Sequence, residues 1–253
     1  MWRKRLILGS AVALCLGMSV AASQAATTQT RVHVRTLPGC SESAPCHHFR
    51  KGRYRLGVGS VLPGLRLTLP RGWGSRENDQ GELNLIPHGL PEASLFVWVD
   101  LVAVKSTGPG HGTTVLQNVG KTPAALVSWL TTNPDFLVVS PPRPTKIARR
   151  IHATTLTLGV STSAEYGDPG CPYNPRCADF FTSDLWGTNS YGIGGDEEVQ
   201  LSLASIKRHG HRHTLFVGLD AGTGTNDNAL VTLRQAVRAV VSSFRLPKTV
   251  TPG

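Results

Sequence analysis

WLTTNPDFLVVSPPRPTKI, residues 129–147, is the stretch on which the folding of this chain turns. Trp129 and Leu130 close an amphipathic helix that begins at Thr122-Pro123, an N-cap residue followed by proline at the first helical position. Leu126, Trp129 and Leu130 fall at i, i+3 and i+4, on one face of that helix. Pro134 stops it, because proline brings no N–H and its ring clashes with the preceding turn. Phe136 to Val139 then enter the core as a strand. Pro141, Pro142 and Pro144 cannot continue a central ladder, so they read as a crossing. Strand resumes around Ile147 to Val160, where Leu156, Leu158 and Val160 alternate.

Working upstream, Leu65, Leu67 and Leu69 alternate with Arg66 and Thr68, the period of a half-buried strand. Pro70-Arg71-Gly72-Trp73 turns the chain, and Leu83 to Ile86 is another short strand. LFVWVDLVAV, residues 95–104, is nearly continuous and apolar and reads as a single central strand. Downstream, residues 161–195 form the longest irregular stretch, read as a loop. Val199, Leu201 and Leu203 start a hairpin that turns at His209-Gly210 and returns through Leu215 to Leu219. The last helix follows Asp227, with Leu230, Leu233, Val237, Val240, Val241 and Phe244 on one stripe and Arg234, Gln235 and Arg238 on the other side. Burying that stripe stabilises by roughly 1.5–3 kcal/mol per large apolar side chain. The pattern predicts an α+β layered domain, a mostly antiparallel sheet flanked by helices.

Residues 1–25 read as a secretory signal peptide: Arg3-Lys4-Arg5, an apolar run from Leu6 to Val20, and small residues ending at Ala25. The run is short for a membrane span, and no later segment is apolar for long enough, so no transmembrane segment is expected after cleavage. Cys15 lies inside the apolar run behind Leu14, which disfavours a lipoprotein cysteine. Residues 26–51 read as a flexible lead, 52–247 as one domain and 248–253 as a tail. An exported setting favours disulfides over zinc for Cys40 and Cys46 and for Cys171 and Cys177; pairing within each local set is preferred, although the sequence permits three connectivities. The chain carries +10; without Arg3, Lys4 and Arg5 it keeps 23 Lys+Arg against 16 Asp+Glu, about +7. Arg50, Lys51, Arg53 and Arg55 concentrate part of that excess and suit an anionic cell-envelope surface, or simply solvent. Nucleic acid is not expected as a partner of an exported protein.

Three segments carry a family resemblance. They are Gly52-Arg53-Tyr54 with Leu62-Pro63-Gly64-Leu65-Arg66-Leu67-Thr68-Leu69-Pro70-Arg71-Gly72-Trp73, then Trp129-Leu130 through Asn133-Pro134-Asp135-Phe136 to Val139-Ser140-Pro141, and Cys171, Cys177 with Val241-Ser242-Ser243-Phe244-Arg245-Leu246. Together they resemble secreted proteins common in actinobacteria and related bacteria, over roughly residues 52–247. The resemblance implies a Mog1/PsbP-like α-β-α sandwich and an exported accessory or binding domain, with no catalytic residues to transfer. Relatives often place Ile-Gly-Gly after the proline-rich crossing. This chain has Ile147-Ala148-Arg149-Arg150, which lacks the glycines a tight turn there would use.

No nucleophile elbow, Walker loop, His-Glu-x-x-His or EF-hand loop occurs, and Gly57-Val58-Gly59 lacks the third glycine of a dinucleotide site. No cofactor is expected. His211 and His213 alternate on a strand and could converge on a cation, with His209 nearby; a solvated hairpin tip is the preferred reading. Asp168, Asp179, Asp184, Asp196, Glu197 and Glu198 lie in or beside the long loop, where a carboxylate pair could serve acid–base chemistry. Tyr173, Phe180, Phe181 and Trp186 could line a ligand cleft or form a small core under that loop. The preferred function is an exported non-enzymatic binding or accessory protein of the cell envelope, acting on an anionic envelope component or an envelope protein. The alternatives are a small secreted hydrolase using loop carboxylates or histidines, and a structural envelope protein held by its basic patch.

Overall fold

Strands dominate because β-branched and aromatic residues recur at period two through most of the chain. The computed structural model describes residues 33–253 apart from 42, 80, 107–112, 165–176, 186–189, 196 and 223–226. With strands numbered in chain order, the central sheet runs β4 (Gly74–Asn78), β5 (Leu83–Ile86), β6 (Ser94–Val99), β14 (His211–Asp220), β13 (Val199–Arg208), β10 (Ile151–Val160), β9 (Phe136–Ile147). A short β15 (Val250–Pro252) takes over beside β13 at Ile206–Arg208, just beyond the last β10 partner at Ala204. All these pairings are antiparallel.

Both faces of this sheet are covered, and side-chain alternation sorts its residues into two cores. Leu95, Val97, Leu215, Val217 and Leu219 face the first core. Over it lie α2 (Asp227–Ser243) and a three-stranded sheet of β1 (Val34–Thr36), β2 (Gly52–Arg55) and β3 (Arg66–Leu69). Phe96, Trp98, Leu156, Leu158, Leu201, Leu203 and Phe216 face the second core. Over that lie α1 (Pro123–Thr132) and a sheet in the order β12 (Ser190–Gly194), β11 (Cys177–Thr182), β7 (Val102–Ser106), β8 (Thr113–Val115).

The antiparallel sheet is as expected, but the α-β-α sandwich is overturned. Among the described residues strands take 49% and helices 14%, and α1 and α2 are the two helices. The reason lies in residues 161–195. Part of the stretch read as loop forms β11 and β12, so sheet rather than helix covers much of the second face. A further correction concerns the apolar run at 95–104. It is two strands in two sheets, broken at Asp100, which sits at φ 59. Asp100 exchanges backbone bonding with Thr214, donating its N–H to the carbonyl at 2.9 Å, while its Oδ1 accepts the Thr214 N–H at 2.9 Å. A short polar side chain that bonds locally is what tolerates this bend.

The opening stretch folds partly as read. Thr122 Oγ1 accepts from Ala125 N at 3.3 Å, Pro123 starts α1, and Asn133 ends it. Its prolines, however, sit inside β9 rather than between strands. β9 is an outer strand, where proline is tolerated because N–H groups pointing away from β10 have no ladder partner to lose. Against β10, Arg143 pairs with Thr155 and Ser140 with Thr157, so Pro141 and Pro142 form a bulge. The chain then turns at Ala148 (φ 53) and Arg149 (φ 63), with Arg150 N–H donating to the Ile147 carbonyl. The tight turn is therefore present without glycine, at roughly 1–2 kcal/mol of strain per residue.

Residues 33–51 belong to the same body. Leu37, Cys40 and Phe49 are buried in the first core, and Cys40 and Cys46 form a disulfide. Cys46 also bridges Ser75 of β4 through paired backbone bonds of 2.8 Å.

Candidate functional site

On β10, positions facing α2 read Ile151, Ala153, Thr155, Thr157: apolar, then hydroxyl-bearing. The partner strand repeats the change, with Ser202 opposite Thr155 and Gln200 opposite Thr157. A buried hydroxyl is costly unless it is bonded. Thr155 Oγ1 donates to the Leu201 carbonyl at 3.0 Å and accepts from Ser202 Oγ at 3.1 Å. The sheet thus carries a polar floor where packing alone would place Val or Leu.

Above this floor α2 stands off and leaves a cleft of about 590 Å³. Its walls carry Arg234 and Arg238, one turn apart on α2, and Arg143 from β9, which shares the face of its partner Thr155. No aspartate or glutamate is among the described lining residues. Glu198 touches the rim: its Oε2 accepts from Arg234 Nη2 at 3.2 Å. Arg234 Nε is buried without a hydrogen-bond partner. Guanidinium groups present fixed forks of donors that match carboxylate and phosphate oxygens. A concave wall of one sign also focuses the field on whatever enters.

A second cavity of about 760 Å³ lies on the other face, at the start of α1. It brings together His213 and Asp184, two of the sequence candidates, with Asp100, Lys121, His152 and Arg212. Its charges are of both signs, and His213 Nδ1 is engaged with Asp100 Oδ2 at 2.5 Å. Asp100 is already committed to the bend between β6 and β7, so this pair is explained by the fold.

The other sequence candidates scatter. His209 makes the hairpin turn at φ 51 and His211 is exposed; no group of three His, Cys, Asp or Glu placed to hold a metal occurs among the described residues. Asp179 accepts from Ser190 Oγ at 2.9 Å, and Glu197 from the Gly194 N–H at 2.6 Å. Phe180 and Phe181 are fully buried in the second core. Arg50, Lys51, Arg53 and Arg55 are exposed. Cys177 is disulfide-bonded. Cys171, Tyr173, Trp186, Asp168 and Asp196 lie outside the described residues. The cleft residues went unread because Arg143, Thr155, Ser202 and Arg234 are far apart in sequence. The available signal was Thr155 and Thr157 alternating on the face that begins with Ile151 and Ala153.

Two half-buried acids border the aromatic end of the second core. Trp98 Nε1 donates to Glu82 Oε2 at 2.9 Å, and Tyr191 Oη donates to Asp220 Oδ2 at 2.7 Å. Loss of water raises Glu82 and Asp220 above the ordinary carboxylate range and raises Tyr191 well above the ordinary phenol. A carboxyl raised on folding contributes stability that is fully present below its unfolded pKa and lost as pH rises through its folded one. Glu82→Gln is therefore expected to gain on wild type as pH rises above about 4.5. Thermal melts near pH 4 and pH 7 should show a relative gain at the higher pH; an equal difference at both would mean the carboxylate is well solvated.

No family model and no curated protein matches this chain. Among solved structures, LpqN of Mycobacterium tuberculosis, described as involved in cell envelope biogenesis, aligns over 78% of this chain and 87% of its own. The identity is 15% and the TM-score 0.37, too loose a likeness to carry an argument about fold or function. The Mog1/PsbP-like fold implied by the sequence resemblance is likewise not supported.

Proposed function

We propose that this is an exported binding protein that holds an anionic ligand in the cleft between α2 and β9. The observation that carries the reading is a concave lining with Arg143, Arg234 and Arg238 and no described carboxylate, over a floor of bonded hydroxyls. Export is supported by the signal-like residues 1–25 and by the Cys40–Cys46 disulfide, which suits an oxidising compartment such as the cell envelope. The ligand class is a phosphate or carboxylate compound small enough for one cleft.

Calorimetry with inorganic pyrophosphate at low salt tests it. Saturable binding is expected, weakened at least ~10-fold by Arg143→Ser and by Arg238→Ser, since a charge-assisted hydrogen bond contributes roughly 1.5–3 kcal/mol. Both side chains are exposed, so melting temperatures should stay put. No heat at millimolar pyrophosphate, or equal affinity in both variants, would remove the cleft as the site.

A further inference from the structure

The cleft is not the end of the basic lining. A second concavity of about 470 Å³ lies further along α2, and Ser242 belongs to both walls. It is lined by Arg53, Arg66, Arg149 and Arg245, again with no described carboxylate. The cations form two rows. Arg143 on β9 leads to Arg149 in its turn, and Arg234 and Arg238 on α2 lead to Arg245 just past its end. From Arg234 to Ser243 the helix rises about 14 Å.

Arg149 gives the second observation. It holds a left-handed φ of 63 beside Ala148 at 53, in the three-residue turn between the paired Ile147 and Ile151, at a position where glycine or asparagine is the usual occupant. The chain thus carries an arginine at a strained position, and that arginine lines the second lobe. Arg53, from the basic run at 50–55, lines it too.

We infer that the two lobes form one groove for a linear phosphate polymer, with successive phosphates passing from the Arg143/Arg234/Arg238 lobe, past Ser242, to the Arg149/Arg245 lobe. This rests on the cleft being an anion site. A groove suits a chain better than a planar lipid surface. No aromatic residue is among the described lining of either lobe, so nothing there stacks bases as single-stranded nucleic acid binding requires. Engaging both lobes with one chain makes the second contact intramolecular and raises affinity without any new kind of contact.

The test measures affinity of the full chain for long-chain polyphosphate and for pyrophosphate, in wild type, Arg149→Gly and Ala148→Gly. Polyphosphate is expected to bind about 100-fold tighter than pyrophosphate or better, with a steeper salt dependence from the extra counterions released. Arg149→Gly should lose about tenfold of the polyphosphate affinity, one charge contact by the ratio above, and leave pyrophosphate unchanged. Ala148→Gly should leave both unchanged. Each variant should raise the melting temperature by relieving strain, so a binding loss in Arg149→Gly is not misfolding. Equal affinity for the short and long anions, or an unaffected Arg149→Gly, overturns the groove but leaves the cleft standing. Failure of both anions removes both. Oligothymidylate or anionic phospholipid vesicles displacing polyphosphate at equal phosphate concentration would also overturn it, in favour of nucleic acid or membrane.

Discussion

Gly218→Val is expected to cost about 4 kcal/mol or more of unfolding free energy, enough to threaten a domain whose total is roughly 5–15 kcal/mol. Gly218 lies on β14 directly opposite Phe96 of β6, and the Phe96 ring lies across the glycine. A Cβ at 218 would sit inside that ring. The ring cannot move aside freely. It stacks on Trp98 at 3.8 Å between centroids and meets Tyr191 at 5.1 Å, and Phe96 and Trp98 are buried. Both strands are held by neighbours on either side, so the backbone cannot absorb the clash. Denaturant unfolding checks the prediction. Gly218→Ala should be intermediate, and adding Phe96→Ala should recover part of its loss by making room. A neutral Gly218→Ala would show that the ring is free to turn away.

Phe180→Ala should cost about 3–5 kcal/mol, as for a large aromatic removed from a closed core. Phe180 is 0% exposed. Its ring meets Phe136, Phe181 and Tyr191 at 5.6, 4.8 and 5.2 Å, at tilted or edge-on angles that such pairs prefer. The truncation would leave a void among rigid rings. Pyrophosphate affinity should be unchanged, because Phe180 lies on the opposite face of the central sheet from the α2 cleft. A variant of normal stability that lost ligand binding would restore Phe180 to a ligand-lining role.

The helices were legible because their signals are local. Thr122-Pro123 caps one, and the stripe from Leu230 to Phe244 defines the other. The hairpin at His209-Gly210 was legible for the same reason. What escaped is set by distant partners. Whether a strand accepts three prolines depends on whether anything lies beyond it, and β9 does not announce that it is outermost. The Asp in LFVWVDLVAV was the visible sign of a break, but the apolar residues on both sides outweighed it. β11 and β12 escaped because CADFFT and SYGIG are short and set among glycines. The cleft was the least legible feature. Its arginines come from β9 and α2, nearly a hundred positions apart, and the sequence's most obvious basic run contributes only Arg53 to the groove.

The treatment of the sheet's two outer margins bears on how this molecule meets others. Along β4, Cys46 occupies the position of a neighbouring strand at Ser75, and the Cys40–Cys46 bond holds it in place. Along β9, Pro141, Pro142 and Pro144 bring no N–H groups, and the bulge interrupts the row. A foreign strand seeking to extend the sheet meets an occupied margin on one side and an interrupted one on the other. That protects the chain from joining its own copies by backbone pairing at these margins. Recognition is thereby left to side chains, and the arginines of α2 present theirs to the cleft.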